Sequence, residues 1–401
     1  MTFAKAAPAA GVALLLLGCS DPAPPAQTTA ATTAAPAAAT TAAQAPTATD
    51  ASAVAPAPGV PAPDVHPAPL DVPPIEASAS PAAQPIDTAS WTADPATPQA
   101  KKNALLRAEV LLARAHFSPG VIDGQDGANL KNAIAAFQAA NSLPVDGRMN
   151  PQVWAALAKD TQPALTDYVI TPQDVKGPFL AKIPTDMAQM AKLPALGFTS
   201  PVEELAERFH MDQALLKALN PGADFTEAGT KIVVAALGPD KLPTPVERIE
   251  VDKAKRQVRA YGPAGLLLAV YPATVGSTER PAPDGEWAVR AVAHNPTYTY
   301  DPSRLTFGKA GQGKLVIKPG PNNPVGSTWI DLTKDTYGIH GTPDPRLVGK
   351  TASHGCVRLT NWDVRQLAAA VKKGTVVDFV GAEQARRHDA PHEGELSAKT
   401  D

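Results

Sequence analysis

Residues 338–342 read Gly-Ile-His-Gly-Thr, and residues 353–358 read Ser-His-Gly-Cys-Val-Arg. A cysteine thiol reacts as its thiolate, so a nucleophilic cysteine needs an imidazole that accepts its proton or stabilises the anion. His354 lies two residues before Cys356 and His340 lies sixteen residues before it. The two segments therefore predict a thiol–imidazole site, to which His340 can contribute only through folding. Gly355 allows a sharp turn before Cys356, which leaves successive N–H groups to face a developing oxyanion.

Short apolar segments around this motif predict a mainly β domain. Ile249 and Val251 alternate with charged neighbours, as in a half-buried strand. Further strands are predicted at residues 266–270, 315–317, 329–332 and 375–380. One helix is predicted from Asn361 to Val371, because Val364, Leu367 and Val371 fall on one helical face.

The His-Gly-Thr and Ser-His-Gly-Cys-Val-Arg segments together resemble the signature of the L,D-transpeptidase (YkuD-type) catalytic domain, which remodels bacterial peptidoglycan. The resemblance extends to residues 283–285 (Pro-Asp-Gly), to residues 323–326 (Asn-Pro-Val-Gly), and to Asn361 and Asp363. It covers residues 246–381. The resemblance implies a β-rich catalytic domain, in agreement with the predicted strands.

Carried over residue by residue, the resemblance implies that Cys356 is the nucleophile and His340 the general base. Backbone N–H groups of Gly355 and Cys356 would form the oxyanion hole. Because Gly341 follows the histidine, only a backbone carbonyl is available there to orient the imidazole.

Three further residues are assigned to the pocket by the same resemblance. Ser353 and His354 would shape it. The planar guanidinium of Arg358 suits bidentate contact with a carboxylate of the peptide stem. A structural salt bridge between Arg358 and Asp363 is the alternative.

The activity implied is acylation of the thiol by a stem tetrapeptide, release of D-alanine, and transfer to an amine of a neighbouring stem or of an acceptor protein. No metal or organic cofactor is implied. With water as the acceptor, the same site would be an L,D-carboxypeptidase or hydrolase. The same residues are also compatible with a catalytically silent wall-binding lipoprotein, or with a zinc site built from His340, His354 and Cys356.

Residues 101–160 predict a small helical module. Apolar residues recur at helical spacing from 130 to 137, after Asn129 as a predicted cap, and Asn150-Pro151 opens another helix. Asp-Gly turns at residues 123–124 and 146–147 punctuate the segment. This arrangement resembles the three-helix peptidoglycan-binding module found beside cell-wall enzymes.

Residues 165–240 predict a small α+β module. A capping box begins at Ser200, with proline at the first helical position. A second helix from residue 212 to 219 precedes a strand at 232–235. With residues 168–170 as a first strand, the order resembles a LysM module, which binds N-acetylglucosamine in glycans. The insert at residues 176–196 departs from that compact pattern, and a spacer domain is the alternative.

The first 19 residues predict a lipoprotein signal peptide. Lys5 precedes an apolar core at residues 11–17, and Leu-Leu-Gly-Cys at 16–19 resembles a lipobox. The resemblance implies lipidation of Cys19, a membrane anchor and a periplasmic, cell-envelope location. Ser20 implies the outer rather than the inner membrane. An ordinary signal peptide is the alternative.

Composition predicts a multidomain chain with unfolded ends. Residues 20–100 consist largely of Ala, Pro and Thr, which cannot bury enough apolar surface to fold, and they predict a disordered tether. Residues 382–401 predict a disordered tail. The net charge of −3 and the lack of a basic stripe argue against a nucleic-acid partner.

Overall fold

The computed structural model describes residues 76–92, 96–276, 281–304, 313–351, 353 and 355–382. The predicted signal peptide, the predicted lipidation site Cys19, the predicted pocket residue His354 and residues 383–401 of the predicted tail lie outside this set. No helix within the described ranges has both the length and the apolar character needed to cross a bilayer.

Helices dominate the first part of the described chain. They are α1 Gln84–Asp87, α2 Pro98–Arg114, α3 Ala128–Ala140 and α4 Pro151–Leu157. Helices α2, α3 and α4 enclose an apolar core in which Phe117 meets Phe137 edge to face, with ring centroids 5.4 Å apart. The predicted helical module is thus present. Asn129 is not its cap, because α3 is preceded by Gly127 and Asn129 lies inside the helix.

Each predicted Asp-Gly turn is tied to the helix before it. The Glu109 carboxylate accepts hydrogen bonds from the N–H groups of residues 123 and 124, at 3.0 and 2.7 Å. The side-chain amide oxygen of Gln138 (Oε1) accepts hydrogen bonds from the N–H groups of residues 146 and 147, at 3.0 and 2.9 Å. In each turn, a side chain of the preceding helix therefore accepts hydrogen bonds from the backbone N–H groups of the Asp-Gly pair.

The middle module contains the predicted strands and helices. In chain order its elements are β1 Leu165–Val169, α5 Pro172–Lys176, α6 Met187–Met190, α7 Pro201–Arg208, α8 Gln213–Leu219 and β2 Lys231–Ala235. Strands β1 and β2 pair antiparallel, with Leu165 opposite Ala235. The insert noted in the sequence holds α6 and ends at Leu196.

The prediction of a disordered tether up to residue 100 is wrong for residues 76–92 and 96–100. Ala83 and Ile86 are buried in the core of the middle module. The Asp87 carboxylate accepts hydrogen bonds from the N–H groups of Ala164 and Leu165, at 2.7 and 3.0 Å. This segment is ordered although it has few apolar residues. Two of them pack into the core of the middle module, and the Asp87 carboxylate accepts hydrogen bonds from the first N–H groups of that module.

The catalytic domain is mainly β, as predicted. Its elements are β3 Arg248–Asp252, β4 Gln257–Tyr261, β5 Leu267–Pro272, β6 Gly285–His294, β7 Tyr298–Tyr300, β8 Leu315–Ile317, β9 Thr328–Leu332, β10 Gly338–His340, β11 Val357–Arg358, α9 Asn361–Ala370 and β12 Val376–Val380. Eight strands form one sheet in the order β11-β10-β9-β6-β12-β3-β4-β5, and β7 pairs with β8 in a separate ribbon.

Local sequence predicted five strands of this domain and missed β4, β6, β7, β10 and β11. Ile249 and Val251 are fully buried and Arg248 and Glu250 are half-buried, as the alternation predicts, whereas Asp252 is also buried. Strand β6 is the longest of the described strands, yet its register shifts between Val289 and Ala291. Such a bulge breaks the alternation of apolar and polar residues on which sequence prediction depends.

Candidate active site

Strand pairing brings the two motif segments together. Strands β10 and β11 run parallel, with Ile339 opposite Val357 and His340 opposite Arg358. Cys356 immediately precedes β11. Residues paired across neighbouring strands point to the same face, so the side chains of Arg358 and His340 lie on one side of the sheet, and Cys356 lies in the bend immediately before β11.

His340 is held as a neutral base. Its Nδ1 lies 2.7 Å from the carbonyl oxygen of Gly341. Since a carbonyl only accepts, Nδ1 carries the proton and Nε2 keeps its lone pair. Burial, together with the nearby Arg358 charge, lowers the pKa of His340 to about 3, although the Gly341 and Val325 carbonyls act against this. The imidazole is therefore uncharged at neutral pH and can accept a proton.

The Cys356 thiol is partly exposed and borders groups that can stabilise its anion. Burial raises the pKa of the thiol above its ordinary value, while the Gly338 N–H and the Arg358 charge oppose that rise. The thiol lies 3.7 Å from the Thr336 carbonyl oxygen. The thiol and the imidazole are therefore both neutral at rest, and the Gly338 N–H and the Arg358 charge favour the thiolate once it forms.

Ser353 organises the backbone around the cysteine. Its hydroxyl donates to the Cys356 carbonyl at 2.6 Å and accepts from the Gly355 N–H at 3.2 Å. The Gly355 N–H predicted for the oxyanion hole is thus bonded to the Ser353 hydroxyl in this structure. Among the described residues, the Cys356 N–H has no hydrogen-bond acceptor. Gly355 has a φ of 117°, a conformation that favours glycine.

Arg358 faces the site rather than an internal carboxylate. Within the described ranges its charge interacts with Cys356, Tyr298 and His340. The alternative salt bridge to Asp363 is not formed, because that carboxylate accepts a 3.1 Å hydrogen bond from Ser118 of the helical module. The Arg358 guanidinium is thus available to an anionic group of a substrate.

Tyr298 and Trp329 border the site, and sequence reasoning missed both. Burial raises the pKa of Tyr298, and the charge of an ionised Cys356 adds to that rise. The Trp329 ring stacks on His340, with centroids 5.3 Å apart. The alternating aromatic residues of Tyr298-Thr299-Tyr300 could have indicated a strand. The sequence of a three-residue strand does not show, however, that it lies beside the site.

The hypothetical zinc site required His354, which lies outside the described residues. Within the described ranges, no cluster of three or more His, Cys, Asp or Glu side chains could hold a metal ion.

Two family models match parts of this chain. Residues 246–379 match the family of the L,D-transpeptidase catalytic domain, and residues 102–157 match a family described as "Putative peptidoglycan binding domain".

Relatives match over nearly their full length. "Putative L,D-transpeptidase YkuD" of Bacillus licheniformis is 31% identical over 181 residues, covering 44% of this chain and 92% of the relative. Its namesake in Bacillus subtilis is 30% identical over 178 residues, covering 44% and 91%. A solved L,D-transpeptidase structure from Xylanimonas cellulosilytica aligns with 68% of this chain and 93% of its own, at 16% identity and a TM-score of 0.29. By its relatives, the chain belongs to the L,D-transpeptidase family.

Proposed function

We propose that this protein is a peptidoglycan L,D-transpeptidase in which Cys356 is the nucleophile and His340 the general base. The observation that carries the proposal is the orientation of His340. Its Nδ1 is 2.7 Å from the Gly341 carbonyl oxygen, so Nε2 is the basic atom, and His340 pairs across the strands with Arg358, two residues after Cys356.

In the first step, Sγ of Cys356 attacks the carbonyl carbon between the third residue of a stem tetrapeptide and its terminal D-alanine. The thiol proton passes to Nε2 of His340, and the Cys356 N–H stabilises the oxyanion. When the C–N bond breaks, the imidazolium returns the proton to the departing D-alanine nitrogen. A thioester remains on Cys356.

In the second step, an amine of a neighbouring stem or of an acceptor protein attacks the thioester carbon. His340 removes a proton from the amine, and the proton passes to Sγ as the C–S bond breaks. Arg358 binds a carboxylate of the stem, because its guanidinium faces the site with no carboxylate partner among the described residues.

The remaining modules localise the reaction. The helical module binds peptidoglycan, and the middle module acts as a LysM-like contact with the glycan. An anchor at Cys19 holds the enzyme at the periplasmic face of the envelope, with the outer membrane as its site.

Mass spectrometry of purified tetrapeptide muropeptides, incubated with the full chain or with Cys356→Ala, tests the activity. Cross-linked dimers that have lost one D-alanine, formed by the wild type alone, are the expected result. Tripeptide and free D-alanine without dimers would instead identify a carboxypeptidase. Unchanged muropeptides, with intact sacculi also unchanged, would point to a binding scaffold.

A further inference from the structure

One buried amide joins three segments beneath the proposed base. Asn361, the first residue of α9, is fully buried. Its Oδ1 accepts from the Ser327 N–H at 3.0 Å, and its Nδ2 donates to the Pro321 carbonyl at 3.2 Å. The same Nδ2 donates to the two carboxylate oxygens of Glu207, at 3.1 and 3.2 Å.

The Asn361 amide lies directly against the residue that orients His340. A Cβ atom added to Gly341 would lie 2.1 Å from Asn361 Oδ1, and one added to Gly326 would lie 2.2 Å from it. Only glycines admit such an approach. The position of the amide therefore determines where the Gly341 backbone lies, and the Gly341 carbonyl in turn holds Nδ1 of His340.

Glu207 reinforces the way this amide faces. The Ser327 N–H only donates and the Pro321 carbonyl only accepts, so both favour Oδ1 toward Ser327 and Nδ2 away from it. Burial raises the pKa of Glu207 to about 7, and the hydrogen bonds from Nδ2 to its two oxygens favour the ionised, accepting form. Without the carboxylate, the amide would lose an acceptor on the side that faces the middle module. Glu207 belongs to α7, outside the matched catalytic domain of residues 246–379.

Hydrogen bonds and a stacked pair of rings between the middle module and the catalytic domain hold Glu207 in place. Leu196 N–H donates to the Pro319 carbonyl at 2.8 Å, and Asn322 N–H donates back to the Leu196 carbonyl at 2.9 Å. The Asn322 side chain donates to Glu203 at 2.8 Å. His210 stacks on Trp362 with ring centroids 4.8 Å apart. The insert that departs from a compact LysM pattern thus ends in the residue that makes this contact.

We propose that Glu207 of the middle module is a positioning residue for His340, acting through the Asn361 amide and the Gly341 carbonyl. The middle module is then part of the catalytic apparatus and not only a wall-binding attachment. The inference rests on the proposed function in treating His340 as the base. The geometry of the histidine can be measured independently of any activity.

The first experiment follows the His340 tautomer by nitrogen-15 NMR of the full chain labelled at histidine, with His340→Gln to assign the signal. The wild type should show Nδ1–H and an unprotonated Nε2. In Glu207→Leu we expect a mixture of tautomers, because the Gly341 carbonyl is no longer held. Glu204→Gln is the matched control, since Glu204 lies on the same helix and pairs with Arg208 at 2.8 Å. A wild-type tautomer in folded Glu207→Leu would overturn the proposal.

A second pair of variants covers the case in which Glu207→Leu does not fold. Asn361→Asp places two carboxylates face to face and should lower kcat for muropeptide transfer about tenfold or more, with KM within about twofold. Adding Glu207→Gln restores a donor–acceptor pair and should recover at least about fivefold of that loss. Absence of recovery, with both proteins folded, would overturn the positioning role. If the wild type transfers nothing, the proposed function fails, while the tautomer measurement still decides the role of Glu207.

Discussion

The Trp329 indole lies nearly parallel to the His340 imidazole, at an interplanar angle of 19°. The position of the indole depends on Gly338, because a Cβ atom there would lie 2.4 Å from the Trp329 ring. Trp329 therefore covers both the strand glycine and the base. This cover contributes to the burial that keeps the imidazole neutral.

Replacing Trp329 should make His340 more basic. In Trp329→Ala, water reaches the imidazole, and the pKa of His340 should rise from about 3 toward its ordinary value, because burial is the main cause of its depression. NMR titration of the His340 ring measures this shift. Trp287→Ala is the control, since that indole packs beside Lys334 instead. An unchanged His340 titration in Trp329→Ala would contradict this account of the neutral base.

Ser353→Ala should destabilise the loop that carries the nucleophile. The variant removes a donor from the Cys356 carbonyl and an acceptor from the Gly355 N–H in a buried setting. Leaving buried polar groups unpaired should lower the free energy of unfolding by about 1–3 kcal/mol. Chemical denaturation measures the difference. Ser303→Ala, at an exposed serine bonded to Asp301, should change stability by less than about 0.5 kcal/mol. Equal effects in the two variants would refute the role of Ser353.

Arg358 should control the reactivity of the thiol. Its charge lowers the pKa of Cys356, so Arg358→Gln should raise that pKa further and slow alkylation by iodoacetamide at a fixed pH. Arg358→Lys should retain part of the rate. In the wild type, the rate should keep rising with pH up to at least about pH 8.5, because burial holds the thiol pKa above its ordinary value. Arg346→Gln, at an exposed arginine, serves as the control. A plateau near neutral pH would instead indicate a preformed thiolate.

Acid should destabilise the protein partly through His340. The folded pKa of about 3 lies below the unfolded value of about 6.5, so the unfolded state takes up the proton first as the pH falls. The free energy of unfolding should therefore decrease from about pH 6.5 toward pH 3, by at most about 1.4 kcal/mol per pH unit from this group. Denaturation curves of His340→Gln across that range should show a shallower decrease. A slope equal to that of the wild type would show that the imidazole is not buried in its neutral form.

Sequence determined the elements whose information is local. The spacing of Leu130, Ala133, Ile134 and Phe137 gives one buried helical face, and all four are buried. The Ser200 hydroxyl accepts from the Glu203 N–H as predicted, whereas the Glu203 carboxylate accepts from the Thr199 N–H, so only half of the predicted capping box is formed. The motif segments also predicted the candidate site, because the residue types in Gly-Cys-Val-Arg indicate a reactive thiol without knowledge of the fold.

Only the tertiary structure decided which groups serve the site and which are engaged elsewhere. The Gly355 N–H was available on sequence grounds, yet the Ser353 hydroxyl occupies it. Glu207 reaches Asn361 across 154 residues of chain, and nothing in the α7 sequence distinguishes it from the neighbouring glutamates. The physical reason is that periodicity and capping act within a few residues, whereas the burial and orientation of a polar side chain depend on surfaces brought together by folding. In this protein the sequence was therefore enough to predict which residue types form the candidate site, whereas their arrangement in space required the tertiary structure.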